Sequence, residues 1–287
     1  MSKAIETVVV LGAGTMGRGI AQNAAAVGCR VRLLDADMER ARAGRDAIDA
    51  RLAKLVAKER ITRDEHDRVL ARIEASDNRA EAVADADVVV EAAPEIMSLK
   101  RELFAALAKE APKHALLGSN TSSLSISEMA AGCGAEERVI GLHFFNPVPV
   151  MKLLELVRGK SSSDETVERA RAFAKLLGKD AILVKDSPGF ATSRLGVLLG
   201  LEAMRMLQEG VASAADIDKA MELGYRHPMG PLKLTDLVGL DVRLAIAEHL
   251  HGELGSSAFE PPDILRQKVA AGELGRKSGK GFYDYEA

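Results

Sequence analysis

The stretch from Thr7 to Asp35 limits what this chain can fold into more than any other. Thr7 to Leu11 is a run dominated by β-branched residues, the pattern of a strand buried on both faces. It breaks at Gly12-Ala13-Gly14. An apolar helical pattern then runs from Met16 to Val27, and Gly28 stands where a C′ glycine ends a helix. Val31 to Leu34 reads as a second strand that closes on Asp35. Strand, glycine turn, helix and strand within about thirty residues make one βαβ unit. Inside it, Gly12, Gly14 and Gly17 spell G-x-G-x-x-G. The first glycine makes the turn, the second lets backbone approach a pyrophosphate, and the third packs helix on strand. The helix N-terminus then faces the anion. Asp35 follows Gly17 by 18 residues, where an acid accepts hydrogen bonds from ribose hydroxyls and repels a 2′-phosphate. The combination predicts a dinucleotide site that prefers NAD over NADP, with FAD a lesser alternative.

The alternation continues beyond that unit. Met38 to Lys58 and Thr62 to Ile73 are charged, Ala/Arg-rich helical stretches, expected to be solvated arms rather than core. Strand patterns recur at Ile73 to Ser76, Val88 to Glu91, Leu116 to Ser119, Val139 to Leu142, Leu153 to Val157 and Ala181 to Val184. Helical patterns lie near Lys100 to Lys109 and Asp164 to Leu177, the second expected to start on an Asp N-cap. Such alternation predicts an α/β fold with a doubly wound, mostly parallel sheet. After Asp186-Ser187-Pro188-Gly189 the strand patterns stop. Phe190 to Gln208 reads as one long helix, and helical patterns continue to about Ala271. Two domains are expected: residues 1–186, nucleotide-binding with a helical arm over 38–73, and residues 187–287, smaller and all-helical. The length of 287 residues, about twice that of a common single domain, agrees with two.

Composition narrows the function classes. At 47% hydrophobic and 28% charged residues the chain can build a core. Its 39 Lys and Arg against 42 Asp and Glu, net −3, give no footprint for nucleic acid or an anionic membrane. Cys29 and Cys133 are expected to be free thiols in a reducing compartment. No signal-like start and no apolar stretch of roughly 18 residues is present, so a cytoplasmic, membrane-free protein is expected.

Two polar segments follow strands. Ser119-Asn120-Thr121-Ser122-Ser123 lies at the sheet's carboxyl edge, where ligands of open α/β sheets bind, although such clusters are more often loops or caps. His143-Phe144-Phe145-Asn146-Pro147 also follows a strand, and Glu155 comes 12 residues after the histidine. A lone histidine is more often a satisfied core or surface residue. A carboxylate beside it, however, fixes its tautomer and raises its basicity, the arrangement of a general base. The spacing permits that contact without demonstrating it. No Gly-x-Ser-x-Gly elbow and no metal-ligand spacing occurs, so neither a hydrolase nor a metal site is expected. The residues alone lead to a dinucleotide-dependent oxidoreductase with His143 as candidate base.

These words together closely resemble the 3-hydroxyacyl-CoA dehydrogenases, particularly the stand-alone 3-hydroxybutyryl-CoA type. Carrying the resemblance are Gly12 to Gly17, Val90-Glu91-Ala92, Ser119 to Leu124 and Gly141 to Pro149, with His227 to Pro231 and Lys277 to Tyr283 near the end. The match is collinear over nearly the whole chain. The resemblance implies a Rossmann-type domain and oxidation of (S)-3-hydroxyacyl-CoA to 3-ketoacyl-CoA with NAD, and the reverse. It makes His143 the base, Glu155 its orienting partner, and Ser122 a hydrogen-bond partner of the reacting oxygen. Gly12, Gly14, Gly17 and Asp35 would bind the adenosine diphosphate half of NAD, and Glu95, Lys100 and Asn120 would line the nicotinamide half. Lys54 and Lys58 on the arm become candidates for CoA, and a homodimer through the helical domain is implied. One position departs from the pattern. Where the family usually reads Pro-Gly-Phe-x-x-Asn-Arg, this chain has Ser193 in place of the Asn. Serine keeps a donor and an acceptor but is shorter, which puts the details of substrate binding in question. Two alternatives share the architecture: a gulonate dehydrogenase of the kind that resembles lambda-crystallin, and a non-catalytic dinucleotide-binding protein.

Overall fold

A computed structural model describes residues 4–285. The chain divides into two compact units, Met1–Asp186 and Ser187–Ala287.

The first unit is built on one eight-stranded sheet of order β3-β2-β1-β4-β5-β6-β7-β8. β1 (Thr7–Leu11) is buried along its whole length and pairs in parallel with both β2 (Arg30–Leu34) and β4 (Val88–Glu91). Its unbroken apolar run suits that central position, covered on both faces. α1 (Thr15–Ala26) crosses from β1 to β2. Then α2 (Met38–Ala57) and α3 (Arg63–Ala71) lead to β3 (Ile73–Ser76), and α4 (Arg79–Val83) returns the chain to β4. Because successive strands leave β1 in opposite directions, the sheet has its switch point between β1 and β4. A crevice opens there at the carboxyl ends. α5 (Met97–Glu110), β5 (Leu116–Ser119), α6 (Ile126–Ala130) and β6 (Val139–Phe144) continue outward, with β5 and β6 still parallel. β7 (Leu153–Arg158) then reverses, antiparallel to β6, and after α7 (Asp164–Leu176) the edge strand β8 (Asp180–Lys185) runs parallel to β7. The doubly wound, mostly parallel sheet expected from the alternation is thus present.

Two local expectations need correction. The arm is not outside the core: Ala41, Gly44, Ile48 and Leu52 of α2 are buried, and Ile48 and Leu52 join Val69 of α3 in the main apolar cluster. Their spacing makes a narrow apolar stripe on a helix whose other faces are charged. α7 is capped by Ser163, whose side chain accepts from Thr166 N, so Asp164 is the first helical residue rather than the cap. There its charge faces the positive end of the helix dipole.

The second unit has its own core, including Val197, Leu201 and Met204 of α8 (Thr192–Gln208) and Ile217 of α9 (Ala214–Lys219). Leu232 of α10 (Pro231–Val238), Leu240 and Leu250 of α11 (Leu240–Leu254) and Leu265 of α12 (Asp263–Ala270) complete it. Phe190 has φ +49 and so cannot extend α8 toward its N-terminus. The two late sequence words are seams of this unit. Asp218 accepts from Leu232 N and Lys233 N, and a Cβ on Gly230 would lie 2.2 Å from its side chain. Asp236 accepts from Phe282 N, Tyr283 N and the Tyr285 hydroxyl, stitching the tail to α10. Among the described residues no helix is long and apolar enough to cross a membrane. Cys29 and Cys133 are free and buried, and burial pushes both thiols up.

Candidate active site

The reversal between β6 and β7 brings His143 directly opposite Glu155. Facing residues in an antiparallel pair project to the same side of the sheet. The imidazole Nδ1 lies 2.6 Å from Glu155 Oε2. Glu155 is 0% exposed and His143 6%. A carboxylate on Nδ1 fixes the tautomer with the proton on that nitrogen and leaves Nε2 as the acceptor. The same carboxylate meets the positive charge that a proton on Nε2 creates. Phe145 packs against the imidazole, with ring centroids 4.5 Å apart. The spacing of 12 residues in the sequence is therefore a cross-strand contact.

Beside this pair, β4 and β5 end in a network that sequence reading reached only in part. Glu91 is 0% exposed at the end of an otherwise apolar strand. Its carboxylate accepts from Lys100 Nζ, Ser119 Oγ and Ala93 N, each at 2.6 Å. Lys100, 1% exposed, also reaches Ala93 O at 3.2 Å and Glu95 at 3.3 Å. Glu95 in turn accepts from the Thr121 hydroxyl and from Ser122 N at 3.0 Å, which holds the loop that carries Ser122. Asn120 donates its backbone N–H to Glu91 O, and its Oδ1 accepts from Phe144 N next to His143. Four expected site residues, Glu95, Lys100, Asn120 and Ser122, thus belong to one connected set. Sequence reading missed the role of Glu91 at its centre. The available signal was an acid placed directly after three buried valines, where an unpaired charge is prohibitively costly.

The glycine loop sits at the switch point. Gly12 has φ +104, and a Cβ there would lie 2.5 Å from Ala92 O; one on Gly17 would lie 1.7 Å from Gly12 O. Nothing lies within 4 Å of the Cβ position of Gly14, which caps α1. That open approach to a helix N-terminus fits a pyrophosphate. Asp35 accepts from Ala13 N at 2.7 Å and from Ala36 N at 2.8 Å, so it also anchors the loop. Gly12, Gly14 and Asp35 border a cavity of about 860 Å³ together with Arg18, Leu34, Arg40, Pro94 and Leu99. Its size, glycine floor and acid fit the adenosine half of a dinucleotide.

The remaining expected residues lie elsewhere. Lys54 is exposed on α2 and Lys58 forms the C-terminal cap of that helix. Ser193 is the second residue of α8, half-buried in the second unit.

The family model described as "3-hydroxyacyl-CoA dehydrogenase, NAD binding domain" matches residues 7–187. The one described as "3-hydroxyacyl-CoA dehydrogenase, C-terminal domain" matches residues 189–285. The chain belongs to the 3-hydroxyacyl-CoA dehydrogenase family. It is 48% identical to a probable 3-hydroxybutyryl-CoA dehydrogenase of Bacillus subtilis over 98% of both chains. It is 42% identical to a 3-hydroxybutyryl-CoA dehydrogenase of Bradyrhizobium diazoefficiens, covering 99% of this chain and 97% of the relative. The crystal structure of (S)-3-hydroxybutyryl-CoA dehydrogenase from Ralstonia eutropha superposes with a TM-score of 0.93 at 43% identity, over 99% of this chain and all (100%) of that one. The family member described here is an NAD-dependent oxidoreductase.

Proposed function

We propose that this dehydrogenase interconverts (S)-3-hydroxyacyl-CoA and 3-ketoacyl-CoA, with the short-chain substrate 3-hydroxybutyryl-CoA the main one. The observation that carries the proposal is the buried His143–Glu155 pair. In the oxidative direction His143 Nε2 takes the proton of the 3-hydroxyl, and the C3–H bond breaks as the carbonyl forms. NAD, when bound, accepts the hydride. Ser122 donates a hydrogen bond to the reacting oxygen, from a loop kept in place by Glu95. Glu155 orients the imidazole and balances its charge while the proton resides there. Gly12, Gly14, Gly17 and Asp35 hold the adenosine diphosphate half of the cofactor, and Glu95, Lys100 and Asn120 shape the nicotinamide half. Ser193 contacts the substrate at the position where the family pattern reads Asn, and Lys54 and Lys58 meet the phosphates of CoA.

Two further points belong to the same reading. The helical unit exposes Leu195 and Leu199 on α8, Leu234 and Leu237 on α10, and Val242 on α11. Apolar area of this kind marks an association face, and a homodimer would cover it. A cytoplasmic location goes with its free, buried thiols. The test follows NADH absorbance with acetoacetyl-CoA, longer 3-ketoacyl-CoA thioesters and a free keto acid in parallel. Turnover is expected with the thioesters and strongest with acetoacetyl-CoA. Turnover confined to the free acid, or NADH binding without turnover, rejects the proposal.

A further inference from the structure

α2, α3 and α7 are each capped by a side chain, from Asp37, Thr62 and Ser163, and each carries an acid in its first turn. Those groups answer the unpaired N–H donors and the positive end of the helix dipole. The helix that follows the glycine loop has neither. Gly14 caps α1 without a side chain, and the first turn holds no acid. Its fourth residue is instead a cation, Arg18. A positive charge at that end of a helix is unfavourable while nothing offsets it.

Arg18 also differs from the other arginines at the same cavity. Three border it: Arg18, Arg40 and Arg79. Arg79 is held by both oxygens of Glu110, at 2.7 and 2.9 Å, and Arg40 lies 3.4 Å from Asp37. Among the described residues Arg18 has no acid partner, and its side chain makes one hydrogen bond, from Nη2 to Thr15 Oγ1 at 3.4 Å. Side chains on a helix lean toward its N-terminus, and the Thr15 contact shows the guanidinium lying back over the first turn. The half-buried fork therefore stands next to the open position at Gly14, where a Cβ would meet nothing within 4 Å.

We propose that Arg18 is a cofactor-binding residue whose guanidinium pairs with the diphosphate of NAD, adding a full counter-charge to the backbone N–H groups of the helix start. This rests on the reading that Gly12, Gly14 and Asp35 hold the adenosine diphosphate half of the cofactor, and not on which thioester is turned over. The diphosphate is doubly anionic, and the planar fork matches phosphate oxygens with parallel donors. Cation and anion then offset each other, so the charge on Arg18 is unfavourable to the helix only in the cofactor-free protein. Affinity for the cofactor is thus obtained at the expense of stability in its absence.

The experiment measures equilibrium binding of NADH and of ADP-ribose to the cofactor-free protein at several salt concentrations, with thermal denaturation of the same samples. Arg18→Met should weaken both ligands by about 3- to 20-fold, the worth of one charge-assisted contact at a half-exposed site. It should also flatten the salt dependence of binding. Arg18→Lys, a point charge without the fork, should keep part of the affinity. Arg18→Glu should bind most weakly and yet raise the denaturation midpoint of the cofactor-free protein by about 1–3 °C, because an acid suits the start of a helix. A residue that only supports the fold would lower affinity and midpoint together, and that result overturns the proposal. So does unchanged affinity in Arg18→Met, or a loss seen with NADH and absent with ADP-ribose, which puts the guanidinium at the nicotinamide. Wild-type binding that is insensitive to salt overturns it whether or not the variants fold. A loss confined to the KM for acetoacetyl-CoA assigns the cation to CoA and overturns it as well. NADH and ADP-ribose binding with the expected Arg18 effects, but without turnover of any thioester, rejects the proposed function and supports this inference.

Discussion

Glu155 and Glu91 are both 0% exposed, in neighbouring parts of one sheet, yet their partners differ in kind. Glu155 lies against an imidazole, a ring that carries both a donor and an acceptor nitrogen. Glu91 lies against an ammonium, a hydroxyl and a backbone N–H, three donors that keep their protons. The two buried carboxylates thus differ in whether the partner has an acceptor nitrogen to offer or serves only as a donor. In the proposed reaction the first pair is the one that takes the proton of the substrate. The second fixes the turn at Ala93 and, through Lys100 and Glu95, the loop that presents Ser122.

The contrast can be broken at either carboxylate. His143→Ala should lower turnover by about 10²- to 10⁴-fold with NADH affinity barely changed, measured by steady-state kinetics and NADH titration. Glu155→Gln should lose less and shift the pH–rate profile, because it acts through the imidazole. Near-normal turnover in folded His143→Ala removes His143 from the chemistry. Glu91→Ala should act on stability instead. It leaves the Lys100 ammonium buried without its closest partner, at a cost of about 3–5 kcal/mol, seen as a lower denaturation midpoint. The double variant Glu91→Gln, Lys100→Met should recover most of that loss without recovering full activity. A Glu91→Ala protein of wild-type stability would show that the network is not structural.

Asp35 combines two positions, since it anchors Ala13 N and borders the cavity beside the glycine loop. Asp35→Asn keeps an acceptor but drops the charge, so the preference for NADH over NADPH should narrow by about threefold to tenfold. Asp35→Ala should weaken both cofactors as well, through the loop. A wild-type enzyme that prefers NADPH refutes the assignment.

The smallest effect concerns a second histidine. His66 is buried between two carboxylates, Nδ1 at 2.7 Å from Asp67 and Nε2 at 2.7 Å from Asp49. With both ring nitrogens against carboxylates it braces α2 against α3, whereas His143 meets a carboxylate on Nδ1. The Asp67 hydrogen bond raises its pKa, burial opposes this, and Asp49 raises it further. The stabilisation is therefore full below the unfolded value near 6.5 and is lost as pH rises through the raised folded value. Both acids are about half exposed, so the loss is small. Hydrogen exchange should report faster opening of α2 and α3 at alkaline pH in the wild type, and no such pH dependence in His66→Gln.

The legible parts of the sequence were those where local pattern and tertiary role coincide. Gly12 to Asp35 could be read residue by residue, because the turn, the close approach and the strand end are all consequences of local geometry. The contact between His143 and Glu155 could be allowed but not deduced, since a strand pattern does not disclose that β7 runs backwards. The arm was misread because Ala41 and Gly44, small residues among charges, contribute little hydrophobic signal while admitting close packing. Glu91 looked like the last residue of a strand, and only the neighbouring strand and helix reveal that its charge is matched. At the start of α7 the sequence pattern pointed to Asp164 as the cap, whereas the residue before it, Ser163, has the extended backbone and the side-chain bond of a cap.

One consequence follows from the register between β6 and β7. The proposed base, His143, and its orienting acid, Glu155, are held by adjacent strands inside a sheet, and not by a loop or lid that can come loose by itself. Segments that open locally at low cost are the mobile ones, whereas buried inner strands separate only when the whole unit melts. Heating should therefore silence the proton-transfer step at the melting temperature of the first unit and not below it, with no inactive but folded species ahead of the transition.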